Sequence, residues 1–432
     1  LNYYNNDNSL GSNWVESEFM MPSGDYGTPG YANSILKPEI NIESVSTNQE
    51  YLLVNSGSFD PPELGDCIVT NFPEHTIGPC DTAYFSIVIE NNGTADLIVE
   101  EMKNVGGWIT HKDLENYKSL YRDPIEGSFK NYDILSMGPP SSGGILLIHM
   151  LNMFDEIMKK SESLSIDLSY NSIDYIHILT EIERRAYADR AEHLADADFW
   201  DVPEGMLLSK DYARERVSSI DLSKATLSSD ISHGNSYIDQ SEETTHYSIV
   251  DKEGNAVSVT TTINSGYGNG ITITGAGFLM NNEMDDFSSK PGEPNMFGLL
   301  GNEANAIEPK KRPLSSMTPT IVLKDGQPFL ILGTPGGSTI ITTVLQNLLN
   351  VVIHGMDIRE AVSSPRVHSQ WMPDMVFHEQ RGLSKRLIKK LTARGHEVKL
   401  RGNIGEANGI MIDDQGFWGG PDSRGENTAI GY

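Results

Sequence analysis

Alternating apolar and polar positions predict two β-hairpins in the second half of the chain. The first follows Thr244, where two alternating runs flank a turn at 251–254. The second is the stretch "TIVLKDGQPFLILG", which turns at Asp325–Gly326. Both combine β-branched residues with a short polar turn, the usual pattern of a hairpin.

Apolar positions at helical spacing predict three helices around these hairpins. One is "SSGGILLIHMLNMFDEIMKK", which is entered through a glycine pair, and another is "TIITTVLQNLLNVVIHG". The third runs from Asn171 to about Leu194 and is capped by Asn171 or Ser172. Hairpins joined to flanking helices indicate layered α and β structure with antiparallel sheet.

The front of the chain has a different character. Residues 1–35 are expected to be the loop-rich end of a β domain, and "GDYGTPGYANS" resembles the close of a lamin-tail domain. β-rich runs within 82–102 flank the hairpin signal Asn91–Gly93, which suits a small β-sandwich. This hairpin resembles immunoglobulin-like modules of secreted bacterial proteins, so residues 36–105 are expected to form an immunoglobulin-like β module. A small all-β, sandwich-like module is therefore predicted before the α/β region.

Composition narrows the class of partner. The formal charge of -28 disfavours nucleic acid and anionic membranes, which both reward clustered Lys and Arg. No apolar run approaches the roughly 18 residues of a membrane span. Cys67 and Cys80 are the two cysteines, which permits one disulfide or two free thiols and excludes an ordinary cysteine-based zinc site. A small molecule or another protein is the expected partner.

Gly336 and Gly337 lie between a predicted strand end and a predicted helix start. Free backbone N–H groups and the positive end of the helix converge at such a place, which could stabilise an oxyanion. A glycine pair at a tight strand-to-helix turn also serves plain backbone geometry. The pair alone does not decide between these readings.

Two other clusters could bind charged groups. Glu283, Asp285 and Asp286 could hold a cationic amine or a metal, or could form a solvated acidic turn. Ser315 and Ser316 could hold a carboxylate through hydroxyl and backbone hydrogen bonds, although serine pairs are common in loops. No metal or organic cofactor is expected, because no convincing ligand set or nucleotide-binding glycine motif is present.

The chain contains, in this order, the blocks "GGWITHKDLENY", "SMGPPSSGGILLIHMLN", "AYADRAEHLADADFWDVP", "TTHYSIVDKEGNAVSVTTTIN", "NNEMDDFSSKPGEPN", "KRPLSSMTPTIVLKDG", "GTPGGSTIITTVLQ" and "DSRGENTAIGY". Through these blocks the chain from about Gly106 to Tyr432 resembles the γ-glutamyltransferase family, also called γ-glutamyltranspeptidases or glutathione hydrolases.

The resemblance implies an N-terminal-nucleophile hydrolase fold, a four-layer αββα sandwich, made as a precursor that cuts itself. The cut would fall between Glu243 and Thr244, at the end of the polar stretch 227–243. It would divide the family region into a partial large subunit, 106–243, and a small catalytic subunit, 244–432. The freed α-amine of Thr244 could then act as the base for its own hydroxyl. His246 is interpreted as a strand residue that orients its neighbours.

The resemblance also assigns the substrate site. Thr262 is expected to hydrogen-bond the nucleophile, and Phe297 to stand at the aromatic gate of a lid loop. Gly336 and Gly337 are expected to form the oxyanion hole. Asn264, Glu283 and Asp286 are expected to bind the α-amine of a γ-glutamyl group, and Ser315 and Ser316 its α-carboxylate. The substrate would be a γ-glutamyl amide such as glutathione, with water, an amino acid or a dipeptide as acceptor.

The front half of the family's large subunit has no counterpart in this chain. In the family that half supplies core strands and an arginine for the substrate carboxylate, so either the fold of this chain is incomplete or a further chain completes the sheet. Two functions follow: a self-processing γ-glutamyl acyltransferase or hydrolase, working as a heterodimer of its cleaved subunits, or a catalytically impaired binding or structural protein. The family resemblance favours a periplasmic or extracellular location.

Overall fold

The structure is a computed structural model that describes residues 45–46, 50–51, 92–231, 244–293, 295–296 and 299–431. The chain divides into two compact units. The first is Leu1–Leu120 with Gly270–Met280, and the second is Tyr121–Asn269 with Asn281–Tyr432. The predicted division at 35, most of the β module before residue 92, and Cys67 and Cys80 lie outside the described residues.

The helices of the described residues are numbered here in chain order. They are α1 Asn92–Val105, α2 His111–Asn116, α3 Gly143–Leu164, α4 Ile173–His193, α5 Glu204–Leu207, α6 Lys210–Ser218, α7 Ile340–Val352, α8 Ile358–Ser363 and α9 Lys385–Ala393. None of these has the length and apolar character needed to cross a bilayer.

The strands follow the same numbering. They are β1 Val45–Ser46, β2 Glu50–Tyr51, β3 Ile125–Phe129, β4 Tyr132–Ser136, β5 Thr245–Val250, β6 Ala256–Thr261, β7 Thr272–Ile273, β8 Phe278–Leu279, β9 Thr320–Lys324, β10 Gln327–Gly333, β11 Val367–His368, β12 Val376–His378, β13 Val398–Leu400, β14 Asn408–Asp413 and β15 Gly416–Pro421.

The first unit corrects one sequence prediction. The hairpin around Asn91–Gly93 is wrong, because Asn92–Val105 forms helix α1. The consecutive apolar residues of this run suggest a strand, but Val99 and Met102, three positions apart, are the buried ones, as on one face of a helix. Met102 packs with Ile273 and Ala276 beside the β7–β8 pair. Hydrophobic packing therefore decides the helix here.

The second unit is built on a six-stranded antiparallel sheet in the order β15-β14-β10-β9-β4-β3. Helices α3 and α7 pack against each other and against this sheet, and α4 packs on α3. Gly143 and Gly144 let α3 begin close to neighbouring loops, because a Cβ on Gly144 would lie 2.6 Å from the Met137 carbonyl oxygen. The predicted glycine-pair entry is confirmed.

A second, two-stranded sheet, β5–β6, stacks on strands β9, β10 and β14 of the core sheet. The Ser258 hydroxyl joins the layers, donating to the Leu332 carbonyl at 3.2 Å and accepting from the Thr320 amide at 3.1 Å. On its other face Tyr247, Ile249 and Val257 are exposed. The mixed α and β fold is confirmed. Among the described residues no helix covers this outer face, so three of the four expected layers are seen: the helices, the core sheet and the β5–β6 sheet.

The other predicted elements are confirmed. Strands β5 and β6 flank the turn at 251–254, and β9 and β10 flank Asp325–Gly326. Helix α4 begins after Ser172, whose hydroxyl accepts from the Tyr175 amide, so Ser172 rather than Asn171 is the cap. Helix α7 follows the 336–337 glycine pair.

Candidate active site

Thr244 stands immediately before strand β5, next to Thr262 at the end of β6. The hairpin register pairs Thr245 with Thr261, so the next positions outward are Thr244 and Thr262. The Thr244 hydroxyl donates to the Thr262 hydroxyl at 3.4 Å, and Thr262 Oγ1 accepts the Asn264 amide at 2.8 Å. Simple antiparallel pairing therefore brings the predicted nucleophile to the residue predicted to orient it.

His246 anchors the start of β5 against the core sheet. Its ring lies within hydrogen-bonding distance of the hydroxyls of Thr260, at 2.9 Å, and Ser248, at 3.1 Å. Burial lowers the pKa of His246 to about 4, so the ring is neutral near pH 7. Gly333 on β10 makes room for it, because a Cβ there would lie 2.7 Å from His246 Nε2. The histidine thus fixes the strand that carries Thr244.

The glycine pair has backbone conformations that favour glycine. Gly336 has φ 140° and Gly337 has φ 52°, and both precede α7. The Thr339 amide and hydroxyl both donate to the Gly336 carbonyl, at 2.9 and 2.8 Å. Gly336 lines the same cavity as Thr244. This turn and the candidate nucleophile therefore border one cavity, as an oxyanion-binding turn and its nucleophile must.

Asn264 links the nucleophile strand to the acidic cluster. It is buried, with a left-handed φ of 75°, and its side-chain amide donates to the Asn282 carbonyl at 3.1 Å. The Asn282 side chain in turn bonds both the amide and the hydroxyl of Ser265. The segment that begins at Glu283 is consequently held beside Asn264.

Glu283 and Asp286 are the first and last residues of one 3-10 turn, Glu283–Asp286. Burial raises the pKa of Asp286 well above its usual range and the Glu283 carboxyl raises it further, while the positive charge of Arg190 lowers it. Burial also raises the pKa of Glu283. The pair therefore resists carrying two negative charges, and a bound cationic group would favour ionisation of both carboxyls. Asp285 instead accepts the Met296 amide at 2.8 Å.

The Ser315–Ser316 loop is fixed by the entry to α3. Ser142 donates to the Ser315 carbonyl through both its amide, at 2.9 Å, and its hydroxyl, at 2.8 Å. Ser141 donates to the Met317 carbonyl at 2.7 Å. The first residues of "SSGG" thus act as clamps on this loop, a role that sequence reasoning missed.

Arg190 is the other site residue that sequence reasoning missed. It is buried, and its guanidinium donates to the Ser142 hydroxyl at 2.9 Å and the Ser316 hydroxyl at 3.2 Å. Its charge also acts on Asp286. A buried cation therefore bonds the serine pair and acts electrostatically on the acidic pair.

A regular spacing along α4 could have identified it. Glu183, Tyr187 and Arg190 lie at i, i+4 and i+7 on one helix face. Glu183 accepts the Ser369 amide at 2.9 Å, Tyr187 donates to the Ser338 carbonyl, and Arg190 holds Ser316. A polar stripe on an otherwise buried helix indicates contacts with specific loops.

The predicted residues form two connected groups. Thr244, Thr262 and Asn264 form one chain of contacts, which Asn264 extends to Asn282 beside the acidic pair, and Arg190 bonds Ser316 and acts electrostatically on Asp286 in the other. Phe297 and Glu243 lie outside the described residues, so the gate and the residue before the cut stay predictions.

Among the described residues, one set of side chains has the spacing of a metal site: His177, Glu181 and His396. The His177 and His396 rings are hydrogen-bonded to each other at 2.7 Å. The Glu181 carboxylate is bonded by Arg184 and Arg185, whose positive charges oppose a cation. These residues fit a buried hydrogen-bond network better than a metal centre.

A network of ion pairs contributes residues to the wall of a cavity that Thr244 borders. Asp422 pairs with Arg366 at 2.7 Å and with Arg424 at 2.8 Å, and Arg424 also bonds Glu379. Arg366 and Asp422 are fully buried. Arg424 and Glu379 line the cavity that Thr244 borders. The network attaches the C-terminal segment to the wall of that cavity.

A family of known proteins matches most of the chain. Residues 91–432 match the family described as gamma-glutamyltranspeptidase. The match begins before Gly106, where the sequence resemblance was placed.

Two relatives illustrate the match. The glutathione hydrolase proenzyme of Escherichia coli (strain K12) is 46% identical over 341 residues, covering 78% of this chain and 57% of that protein. That of Pseudomonas sp. (strain A14) is 43% identical, covering 78% of this chain and 60% of that protein. The chain thus spans less than two thirds of the length of these relatives.

The fold also resembles the crystal structure of cephalosporin acylase from Bacillus halodurans. The TM-score is 0.66 at 22% identity, covering 79% of this chain and 59% of that one. With the family match over residues 91–432, the chain belongs to the gamma-glutamyltranspeptidase family.

Proposed function

We propose that this chain is the catalytic part of a self-processing γ-glutamyl acyltransferase or hydrolase. It would cleave γ-glutamyl amides such as glutathione through an ester on Thr244 and pass the acyl group to water, an amino acid or a dipeptide. The observation that carries this proposal is the 3.4 Å contact between the hydroxyls of Thr244 and Thr262 beside the Gly336 turn.

Self-cleavage would come first. The Thr244 hydroxyl attacks the carbonyl carbon of Glu243, the peptide C–N bond breaks, and the Glu243 acyl group moves to Thr244 Oγ1. Water then hydrolyses this ester and leaves Thr244 as a new N-terminus. The free α-amine can now accept the hydroxyl proton, so cleavage creates the base that the nucleophile needs.

Acyl transfer repeats the same chemistry on substrate. Thr244 Oγ1 attacks the γ-carbonyl carbon, and the amides of Gly336 and Gly337 stabilise the negative charge on the carbonyl oxygen. Collapse of this intermediate breaks the C–N bond, and the leaving amine takes the proton from the Thr244 α-amine. An incoming water or amine then attacks the ester and releases Thr244.

The charged end of the donor would occupy the two groups joined by Arg190. Glu283 and Asp286, with Asn264, take the α-ammonium, and Ser315 and Ser316 take the α-carboxylate. Arg190 supports this assignment because it bonds Ser316 and places positive charge at the carboxylate end. It would thereby supply part of the positive charge that the family's front-half arginine provides for the substrate carboxylate.

The first experiment is the intact mass of the denatured chain for the wild type, Thr244→Ala and Thr245→Ala. Thr245 is the matched control, since it is the neighbouring threonine and is exposed. We expect a fragment from Thr244 to Tyr432 in the wild type and in Thr245→Ala, with none in Thr244→Ala. Uncut chain in all three samples would overturn self-processing and favour the alternative, a catalytically impaired binding or structural protein.

We also propose how the chain is assembled. The cut would place the partial large-subunit region, 106–243, and the small subunit, 244–432, on separate fragments, which stay together as a heterodimer. A further chain that completes the sheet would cover the exposed face of β5–β6, where Tyr247, Ile249 and Val257 lie. A periplasmic or extracellular location is part of the same proposal, as are the divisions 1–35 and 36–105.

A further inference from the structure

Helix α9 carries a group of positive charges in a strongly acidic chain. The formal charge of the chain is -28, yet eight of its 32 Lys and Arg residues fall within 381–401, a stretch with a single acidic residue. The helix itself contains no acidic residue. Its four basic side chains are all exposed: Lys385, Arg386, Lys389 and Lys390. The total charge therefore hides a local reversal of sign.

These four cations share one side of the helix. They occupy positions i, i+1, i+4 and i+5, which lie within about 140° of one another around the helix axis. Leu387, Ile388 and Leu391 point the other way and pack on the hydrophobic core. The exposed side of α9, called here the cationic face, is therefore presented by a helix that the core holds in place.

No acidic side chain neutralises the cationic face within the part of the chain that the structure describes. None of its four cations forms a side-chain hydrogen bond or an ion pair with a described residue. Arg394, one turn beyond Lys390, does have a partner, because it bonds Asp174 on the neighbouring helix α4 at 2.5 Å. The nearby acid of α4 is thus already used, and the charges of the face are available to a partner.

The cationic face does not stabilise its own helix. Lys385 and Arg386 lie in the first turn, where the positive end of the helix dipole repels cations. Lys385 with Lys389, and Arg386 with Lys390, are like-charge pairs four residues apart, which also oppose helix formation. An anionic partner would relieve both kinds of repulsion.

We propose that the cationic face binds the surface of an anionic phospholipid membrane. Clusters of about four to eight Lys and Arg on an amphipathic helix match such lipid headgroups. Total charge alone disfavours this partner, but acidic groups more than a Debye length away, about 8 Å at physiological salt, are largely screened. The local charge of α9 therefore decides the contact.

Other classes of partner fit this face less well. An acidic protein usually needs an apolar anchor at the centre of the contact, and no large apolar side chain of α9 is exposed. Nucleic-acid sites usually add arginines that read bases or aromatic rings that stack on them, whereas this face has three lysines, one arginine and no aromatic residue. It offers point charges without specific contacts, which suits a fluid layer of headgroups.

The test is co-sedimentation of the full chain with two kinds of vesicle, one of equal parts phosphatidylglycerol and phosphatidylcholine and one of phosphatidylcholine alone. Each cation near an anionic surface contributes about fivefold to binding, so Lys389→Gln/Lys390→Gln should weaken binding to the anionic vesicles about 25-fold. The matched control is Lys160→Gln/Lys210→Gln, which removes the same charge from exposed lysines on α3 and α6 and should leave binding unchanged.

The outcomes separate the possible partners. Equal binding to both kinds of vesicle, or equal binding by the wild type and Lys389→Gln/Lys390→Gln, would overturn the proposal. Capture of a DNA duplex without capture of anionic vesicles would also overturn it and assign the face to nucleic acid. The thermal midpoint of the variant should not fall, because the change removes repulsion. No arm uses turnover, so the result is independent of the chemistry proposed at Thr244.

Discussion

Gly333→Ala is expected to destabilise the protein through one contact, the ring of His246. Gly333 lies at the end of β10 without a left-handed backbone, so alanine can adopt its conformation. The new methyl would lie 2.7 Å from His246 Nε2 and closer still to Cε1 and Nδ1. The ring cannot simply turn away, because the hydroxyls of Thr260 and Ser248 hold it on both sides.

The magnitude follows from overpacking of a buried site. One additional methyl in a well-packed core costs about 1–3 kcal/mol. In a His246→Ala background the space is free, and the same substitution should cost close to nothing. The coupling energy between the two positions should therefore be about 2 kcal/mol, well above the roughly 0.5 kcal/mol scatter of independent sites.

The assay is urea unfolding followed by circular dichroism for the wild type, both single variants and the double variant. Gly205→Ala serves as the control, because a Cβ there meets no atom within 4 Å. It should leave the midpoint unchanged or raise it slightly. If the costs of Gly333→Ala and His246→Ala simply add, then the proposed contact does not hold the β5 strand against β10.

Three further predictions concern charged groups. Binding of L-glutamate to Thr244→Ala should strengthen as pH rises, because the pKa of Asp286 is raised and an ammonium requires the ionised carboxylate. The proton release should be measurable by calorimetry in different buffers, and pH-independent binding would contradict this prediction. Arg190→Lys should weaken that binding about tenfold, since one ammonium cannot span two serine hydroxyls as a guanidinium does, and equal affinity would refute the role. Asp422→Asn should cost about 3–5 kcal/mol in thermal unfolding, because buried Arg366 loses its partner, whereas an unchanged midpoint would show that the pair contributes little.

Local patterns in the sequence predict much of the second unit. Helix α3 and the hairpin at Asp325–Gly326 follow from apolar periodicity and turn chemistry, which act over a few residues. Helix α1 is missed because Leu97, Ile98 and Val99 are consecutive, and only packing against residues far along the chain selects the helix. Tertiary contacts override local preference at such a segment.

The candidate site likewise combines contacts that the sequence predicts with contacts that it does not. Thr244 and Thr262 become neighbours through hairpin register, which a sequence can predict. Arg190 is 126 positions from Ser316 in the chain, so their contact depends on how α4 packs beside the loop. The cavity that Thr244 borders likewise collects Arg381 and Arg401 from separate segments. Local sequence patterns do not reveal which charged residues from distant segments come together in the fold.

The polar stripe of α4 has a consequence for exchanging parts between relatives. Glu183, Tyr187 and Arg190 reach three different loops from one rigid rod. Each residue of an α-helix adds about 100° of rotation, so a single insertion between Glu183 and Arg190 would turn one contact away while leaving another in place. Loops around the site can change length, but this helix cannot change phase. A chimera should therefore inherit α4 together with the loops it contacts.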